Sequence, residues 1–277
     1  MSTPKTPYYH CYVSANDSRS YYSDLQNLLK ISRMEHGIGK LKLYVVISKV
    51  RPFNFWDKLF MLLVKQLFKN HNKVELQAMI YKTNLGRDFS SFAIVSDLIC
   101  NKGDTNAYVF FQNRSGHGPF KQDWYTDFIK QFEAHNDTAL CGSTINFNDH
   151  PLRSDRNDMP HVQTYAFLTQ IKYLKLLQGN FPGVNAHTRL DAIYTGEIAL
   201  SRFFLNKGLG ISCMEWPKYV VTQNTKPNNL GDVRGTVRQD HAFYHKAIFS
   251  KTNRIVKTIS YLKILFVIGI KSINFLK

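Results

Sequence analysis

Apolar and polar positions in the first half of the chain follow two alternating rhythms. Runs of β-formers occupy residues 8–15 (YYHCYVSA), 40–48 (KLKLYVVIS), 73–82 (KVELQAMIYK) and 107–113 (AYVFFQN). Between them, over 18–32, 53–70 and 88–100, apolar residues recur every three or four positions, the spacing of helices with one buried face. Asn16, Asp17 and Ser18 stand where the first helix would take its cap. Strand and helix alternating at this pitch predict a parallel sheet with helices on both faces. Ligands of such sheets bind beyond the carboxyl ends of the strands. The second half is less regular. Residues 138–147 predict a buried strand, 148–161 a polar loop and 162–178 a strand passing into a helix. A helix over 194–208 has Gly208 at its end, 217–223 is a strand, and 224–236 is a flexible loop. With no internal repeat and no linker, the economical organisation is one domain, 1–256, with a short appendage, 257–277.

Composition narrows the picture. A 277-residue chain that is 44% hydrophobic and 14% aromatic can build a large core, which excludes disorder as the default. A net charge of +16 calls for an anionic partner: nucleic acid, acidic lipid or a phosphate-bearing substrate. Cys11, Cys100, Cys141 and Cys213 each lie in or beside an apolar run, with no metal-ligand spacing, and read as reduced core thiols of a cytosolic chain. The first ten residues hold no apolar run of the kind a secretory leader needs, and no stretch reaches the roughly 18–20 apolar residues that span a bilayer. The tail 257–277 sets Lys257, Lys263, Lys271 and Lys277 around ILFVIGI, which suits either a helix lying on an anionic leaflet or a final basic core element.

Several segments carry candidate chemistry. In NLGRD (84–88), Asn84 and Gly86 tolerate tight backbone geometry, Arg87 offers a planar fork to phosphate, and Asp88 can cap the next helix or accept from a base or ribose. The bland alternative is a plain helix cap with a surface arginine. Glu197 follows Gly196 near the start of a predicted helix, whose dipole would favour its ionised form. His161 and Gln163 precede an apolar strand. Trp124 and Phe128 fall at helical spacing and are expected in the core.

The ordered series NLGRDFSSF, YVFFQNRSGHGPF, CGSTINF, PHVQTYAFL, GEIALSRFFLNKGLGI and FYHKAIFSKTNR, over roughly 8–255, resembles bacterial polysaccharide glycosyltransferases of the GT-A type, the cytosolic enzymes of capsule, O-antigen and exopolysaccharide assembly. The resemblance implies an α/β fold with a Rossmann-type nucleotide-sugar-binding sheet, helices on both faces and a basic amphipathic C-terminal helix. It implies a nucleotide-sugar donor, UDP-linked hexose or galactofuranose, and a lipid-linked glycan acceptor. It places Asn84, Gly86, Arg87 and Asp88 on the nucleotide, and Gln112, Asn113, Arg114 and Ser115 where the family carries Asp-x-Asp on a divalent metal. That motif does not occur in this chain. Either the metal is absent and Arg114 with other cations neutralises the diphosphate, or a metal is held weakly by water and Asn113; metal independence is the preferred expectation. Glu197 takes the place of the base in an inverting transfer, with Asp191 in reserve. His161 and Gln163 fall near the donor sugar and acceptor. His245, Lys251 and Arg254 fall near the leaving diphosphate, although Lys246 and Ala247 replace the proline and acidic residue expected beside His245. The resemblance also implies a peripheral place on the cytoplasmic face of the cell membrane, held by 257–277, and no nucleic-acid partner. A nucleic-acid-binding protein is the competing class, permitted by the charge but opposed by its even spread and by the lack of any recognised motif spacing. An inactive scaffold of the same fold is the third.

Overall fold

In the computed structural model, which describes residues 6–17, 21–101, 104–225, 241–249 and 268, the four β-former runs are strands β1 (Tyr8–Ala15), β2 (Leu41–Lys49), β3 (Val74–Thr83) and β4 (Tyr108–Asn113). Helices α1 (Tyr22–Arg33), α2 (Phe55–Phe68) and α3 (Arg87–Cys100) connect them. All three neighbouring pairs, β1 with β2, β2 with β3, and β1 with β4, are parallel. The alternation thus produces the parallel block that its pitch predicts. Every residue of β4 is buried, as befits a strand covered on both faces. At the start of α2, Asn54 accepts from Trp56 N, and Asp57 Oδ2 accepts from Asn54 N in a reciprocal capping box.

Beyond β4 come β5 (Gly116–His117), α4 (Trp124–Glu133), β6 (Thr138–Gly142), β7 (Ile145–Asn146), β8 (His161–Val162), β9 (Ala166–Gln170) and α5 (Ile171–Lys175). They are followed by α6 (Arg189–Asp191), a π-helical segment (Ala192–Ile198) and α7 (Ala199–Leu205), then by β10 (Gly210–Cys213), β11 (Val220–Val221) and β12 (Tyr244–His245). The main sheet has the order β11-β10-β6-β9-β4-β1-β2-β3. Here the structure corrects two expectations. The strand expected over 138–147 is broken at Ser143–Thr144, where β7 leaves the sheet to pair with β8. That excursion turns the chain round, so β9 enters antiparallel between β4 and β6. The helix expected from 194 begins at Arg189, because Thr188 and Asp191 form a capping box ahead of it.

Trp124 and Phe128 are fully buried, edge-to-face against Phe110, and all four cysteines are buried free thiols. Among the described residues no helix is long and apolar enough to cross a membrane. Lys251, Arg254 and, Ile268 apart, the tail 257–277 lie outside the described residues.

Candidate active site

The carboxyl ends of β1 to β4 meet along one edge of the sheet. After β3 the chain turns through Asn84–Asp88. Gly86 takes φ +68°, and a Cβ there would run into the carbonyl of Val184 and the side chain of Ser90. Only glycine lets this turn approach the 183–186 loop, to which Gly86 N donates at 3.0 Å (Ala186 O). Arg87 itself sits at φ +48°. Asp88 does not cap α3: Gly86 holds the cap position with no side-chain hydrogen bond, and Asp88 lies in the first turn. Its Oδ2 instead accepts from Asn113 Nδ2 at the end of β4, 2.8 Å away. Burial pushes the Asp88 carboxyl up, against the opposing pull of Asn113, Arg87 and Lys82. Lys82 donates into the same turn, to Thr83 O at 2.9 Å and Leu85 O at 3.3 Å, and burial brings its ammonium down to about 8.

At the end of β4 each polar side chain is engaged. Gln112 is buried and donates to Gly116 O at 2.8 Å, bracing β5. Asn113 Oδ1 accepts from Ser115 N at 2.8 Å. Arg114 turns back over the carboxyl end of β1, the strand paired with β4. It donates to Asp17, to Ser14 Oγ and to Ala15 O, and pairs with the buried Asp24 at 2.8 Å. Burial opposes its charge, but Asp24 and Asp17 outweigh that and hold the guanidinium charged. This donor set does not fit a divalent cation. Two neutral amides, one of them occupied by Ser115 N and Asp88, and a guanidinium bring no pair of carboxylates to this place. Among the described residues no three His, Cys, Asp or Glu side chains stand together as metal ligands would.

Glu197 lies on the π-helical segment, a backbone form that recurs at functional sites. Its Oε2 accepts from Thr164 N at 3.0 Å and Thr164 Oγ1 at 2.7 Å, while His161 Nε2 faces Oε1 at 3.6 Å. The far side of the His161 ring is fixed by Met159 O, 2.7 Å from Nδ1. Burial would push Glu197 up; the bonds from His161 and Thr164 outweigh it and bring the carboxyl down to about 2. Its side chain keeps 19% of its surface in solvent, so an incoming group can reach it. Beside it, Gly196 has no Cβ because the Phe89 ring of α3 fills that space, and a Cβ on Gly183 would come within 2.7 Å of Gly196 Cα. The turn after β3 and the Glu197 segment therefore share one packing joint.

The other expected residues fall around these two clusters. Asp191 accepts from Thr188 N at 3.0 Å, and this capping holds its carboxyl low. Gln163 accepts from Thr144 Oγ1 at 2.7 Å within the core. His245 pairs through β12 with Gly116, and its ring stands 5.5 Å from that of Tyr165. Ser115 O accepts from Lys246 N at 2.7 Å. Tyr165 O in turn accepts from Asn113 N at 3.1 Å, which ties β12, the end of β4 and the Thr164 loop together. Sequence reasoning missed Thr164, Lys82, Asp17 and Asp24, and a further buried pair, His241 Nε2 to Glu215 Oε2 at 2.6 Å. Lys82 apart, whose contacts are local, these are pairs separated by 26 or more residues, which no spacing rule signals.

No protein-family model matches the sequence, and no curated protein matches it. Similar solved structures include the WbbM bifunctional glycosyltransferase (11% identity, 91% of this chain and 47% of that chain, TM-score 0.45). Mouse xyloside xylosyltransferase 1 (9%, 73% and 82%, TM-score 0.41) and a 4-diphosphocytidyl-2C-methyl-D-erythritol synthase (11%, 80% and 95%, TM-score 0.43) are similar to the same degree. This chain spans about half the length of WbbM. Likeness at this level, shared by glycosyltransferases and a 4-diphosphocytidyl-2C-methyl-D-erythritol synthase alike, assigns no activity.

Proposed function

We propose that the chain is a glycosyltransferase that moves a sugar from a UDP-linked donor to a lipid-linked glycan, with inversion, at the cytoplasmic face of a bacterial membrane. The observation that carries this reading is Glu197: an ionised, partly open carboxylate, with one oxygen fixed by Thr164 and the other facing His161, joined through Phe89 to the turn after β3. In the proposed step the acceptor oxygen bonds to the anomeric carbon as the bond from that carbon to the diphosphate breaks. The acceptor's proton passes to Glu197 Oε1, and the electron pair leaves with the nucleoside diphosphate. A carboxylate held near 2 is a weak base at rest. It suffices where the transition state is oxocarbenium-like, because the attacking hydroxyl grows acidic as its bond forms. Asn84 to Asp88 receive the base and ribose, with Asn113 orienting Asp88. Arg87, Lys82 and His245 lie on the elements nearest the diphosphate, joined in this reading by Lys251 and Arg254. At Arg114 a phosphate oxygen can replace the exposed Asp17 while Asp24 stays paired. No step is routed through a metal.

Calorimetric titration of UDP with and without Mn²⁺ tests the reading. Binding that is unchanged by EDTA is the expected result. Binding only with Mn²⁺ would overturn the metal-independent part, and no binding in either condition would overturn the donor assignment.

A further inference from the structure

The outer face of α2 and the loop leading into it carry an unusual surface. Phe55 is 68% exposed and Leu62 63%, and Val50, Phe53 and Trp56 are exposed as well. Along α2, Phe55, Lys58, Leu62 and Lys65 follow at intervals of three and four and form one stripe, with Lys69 just past the helix end, all of them exposed. The Phe55 and Trp56 rings meet at 5.7 Å, and Phe53 packs edge-on to Tyr81 at 5.0 Å. Between Lys49 and Val74 the only carboxylate is Asp57, which is buried and spent on Arg51 and Tyr21. Glu75, at the far end, is paired with Lys40. Single exposed apolar side chains are ordinary; three exposed aromatics flanked by lysines and without an acid are not.

We infer that this face docks on an anionic lipid surface. Phe and Trp side chains settle at the headgroup level of a bilayer, and lysines beside them meet lipid phosphates. A second copy of the chain is a poorer occupant, because a two-fold interface would set the lysine stripe against itself. The aromatic end of this surface, Val50 to Trp56, lies at the carboxyl end of β2, on the same edge of the sheet as the turn after β3, whose Leu85 is also exposed; the stripe then runs along α2 to Lys65 and Lys69 beside the amino ends of β2 and β3. Docked with this aromatic end against the lipid, the chain holds its candidate cleft on the side nearest the membrane. That benefit rests on the transfer reading; the docking itself does not, since vesicle binding and UDP binding are separate assays and either can fail alone.

The test is co-sedimentation of the full chain with vesicles of phosphatidylcholine alone and of phosphatidylcholine with phosphatidylglycerol. Binding to the anionic vesicles only is expected. K58Q/K65Q should weaken it about thirtyfold, at about 1 kcal/mol per lysine, and F55S/W56S/L62S should weaken it by a similar factor. These positions are exposed, so unchanged circular dichroism serves as the folding control. A direct readout uses Trp56 in a W216F background, where the only other tryptophan, Trp124, is fully buried. Its emission should shift to the blue and be quenched by brominated lipid. Anionic-vesicle binding that survives both variant sets would place the contact elsewhere, in 257–277 for instance, and would overturn the inference. So would the absence of binding by the wild-type chain, or a dimer that F55S/W56S/L62S dissolves.

Discussion

Replacing Glu197 by Gln isolates the charge of the proposed base, because the amide keeps the shape and can still accept from Thr164. The carboxyl lies at about 2 in place of the usual 4.5, and that gap is worth about 3 kcal/mol of folding stability at neutral pH. The substitution removes that contribution, and any hydrogen bond the new amide leaves unmade beside His161 adds to the cost. The sign follows from the direction of the displacement. The folded state binds the proton more weakly than the unfolded chain, so the contribution is complete above about 4.5 and drains away as pH falls toward about 2. Urea titrations of wild type and Glu197→Gln should give a stability difference that is constant from pH 7 to 5 and narrows below 4.5. Loss of a base in direct contact with the acceptor should lower the transfer rate by about 10² to 10⁴, with UDP affinity unchanged within a factor of two or so. Transfer by Glu197→Gln at close to the wild-type rate would refute the catalytic assignment. A stability difference as large at pH 3 as at pH 7 would refute the electrostatic account of the pair.

Other perturbations test the scaffold of the site. Arg114→Gln strands the buried Asp24 and should cost about 3–5 kcal/mol by chemical denaturation, with much of it recovered in the Asp24→Asn/Arg114→Gln double variant; additive losses would show that the pair is not coupled. Gly86→Ala forces a Cβ into the Val184 carbonyl at φ +68°, so it should lower the melting temperature and weaken UDP binding together. An unchanged melting temperature would mean that the turn relaxes freely away from the 183–186 loop.

The local pattern determined the parallel half of this protein. Four β-rich runs and three helices with buried faces could bury their apolar surface only as stacked strand–helix units, and the β3 turn had to lie at the ligand edge. Asparagine at 84 and glycine at 86 marked that turn because backbone permissiveness is a property of the residue itself. Tertiary structure decided the rest. That Asp88 serves Asn113 rather than a helix cap depends on where β4 ends relative to β3, which no local window contains. That Arg114 spends its charge on Asp24 and Asp17, and that Glu197 is kept ionised by His161 and Thr164, are contacts between residues 33 to 97 positions apart. Periodicity reports which face of an element is apolar. The pairing of charged groups, and with it their protonation, is set by the distances that long-range packing imposes, and those exist only once the chain has folded.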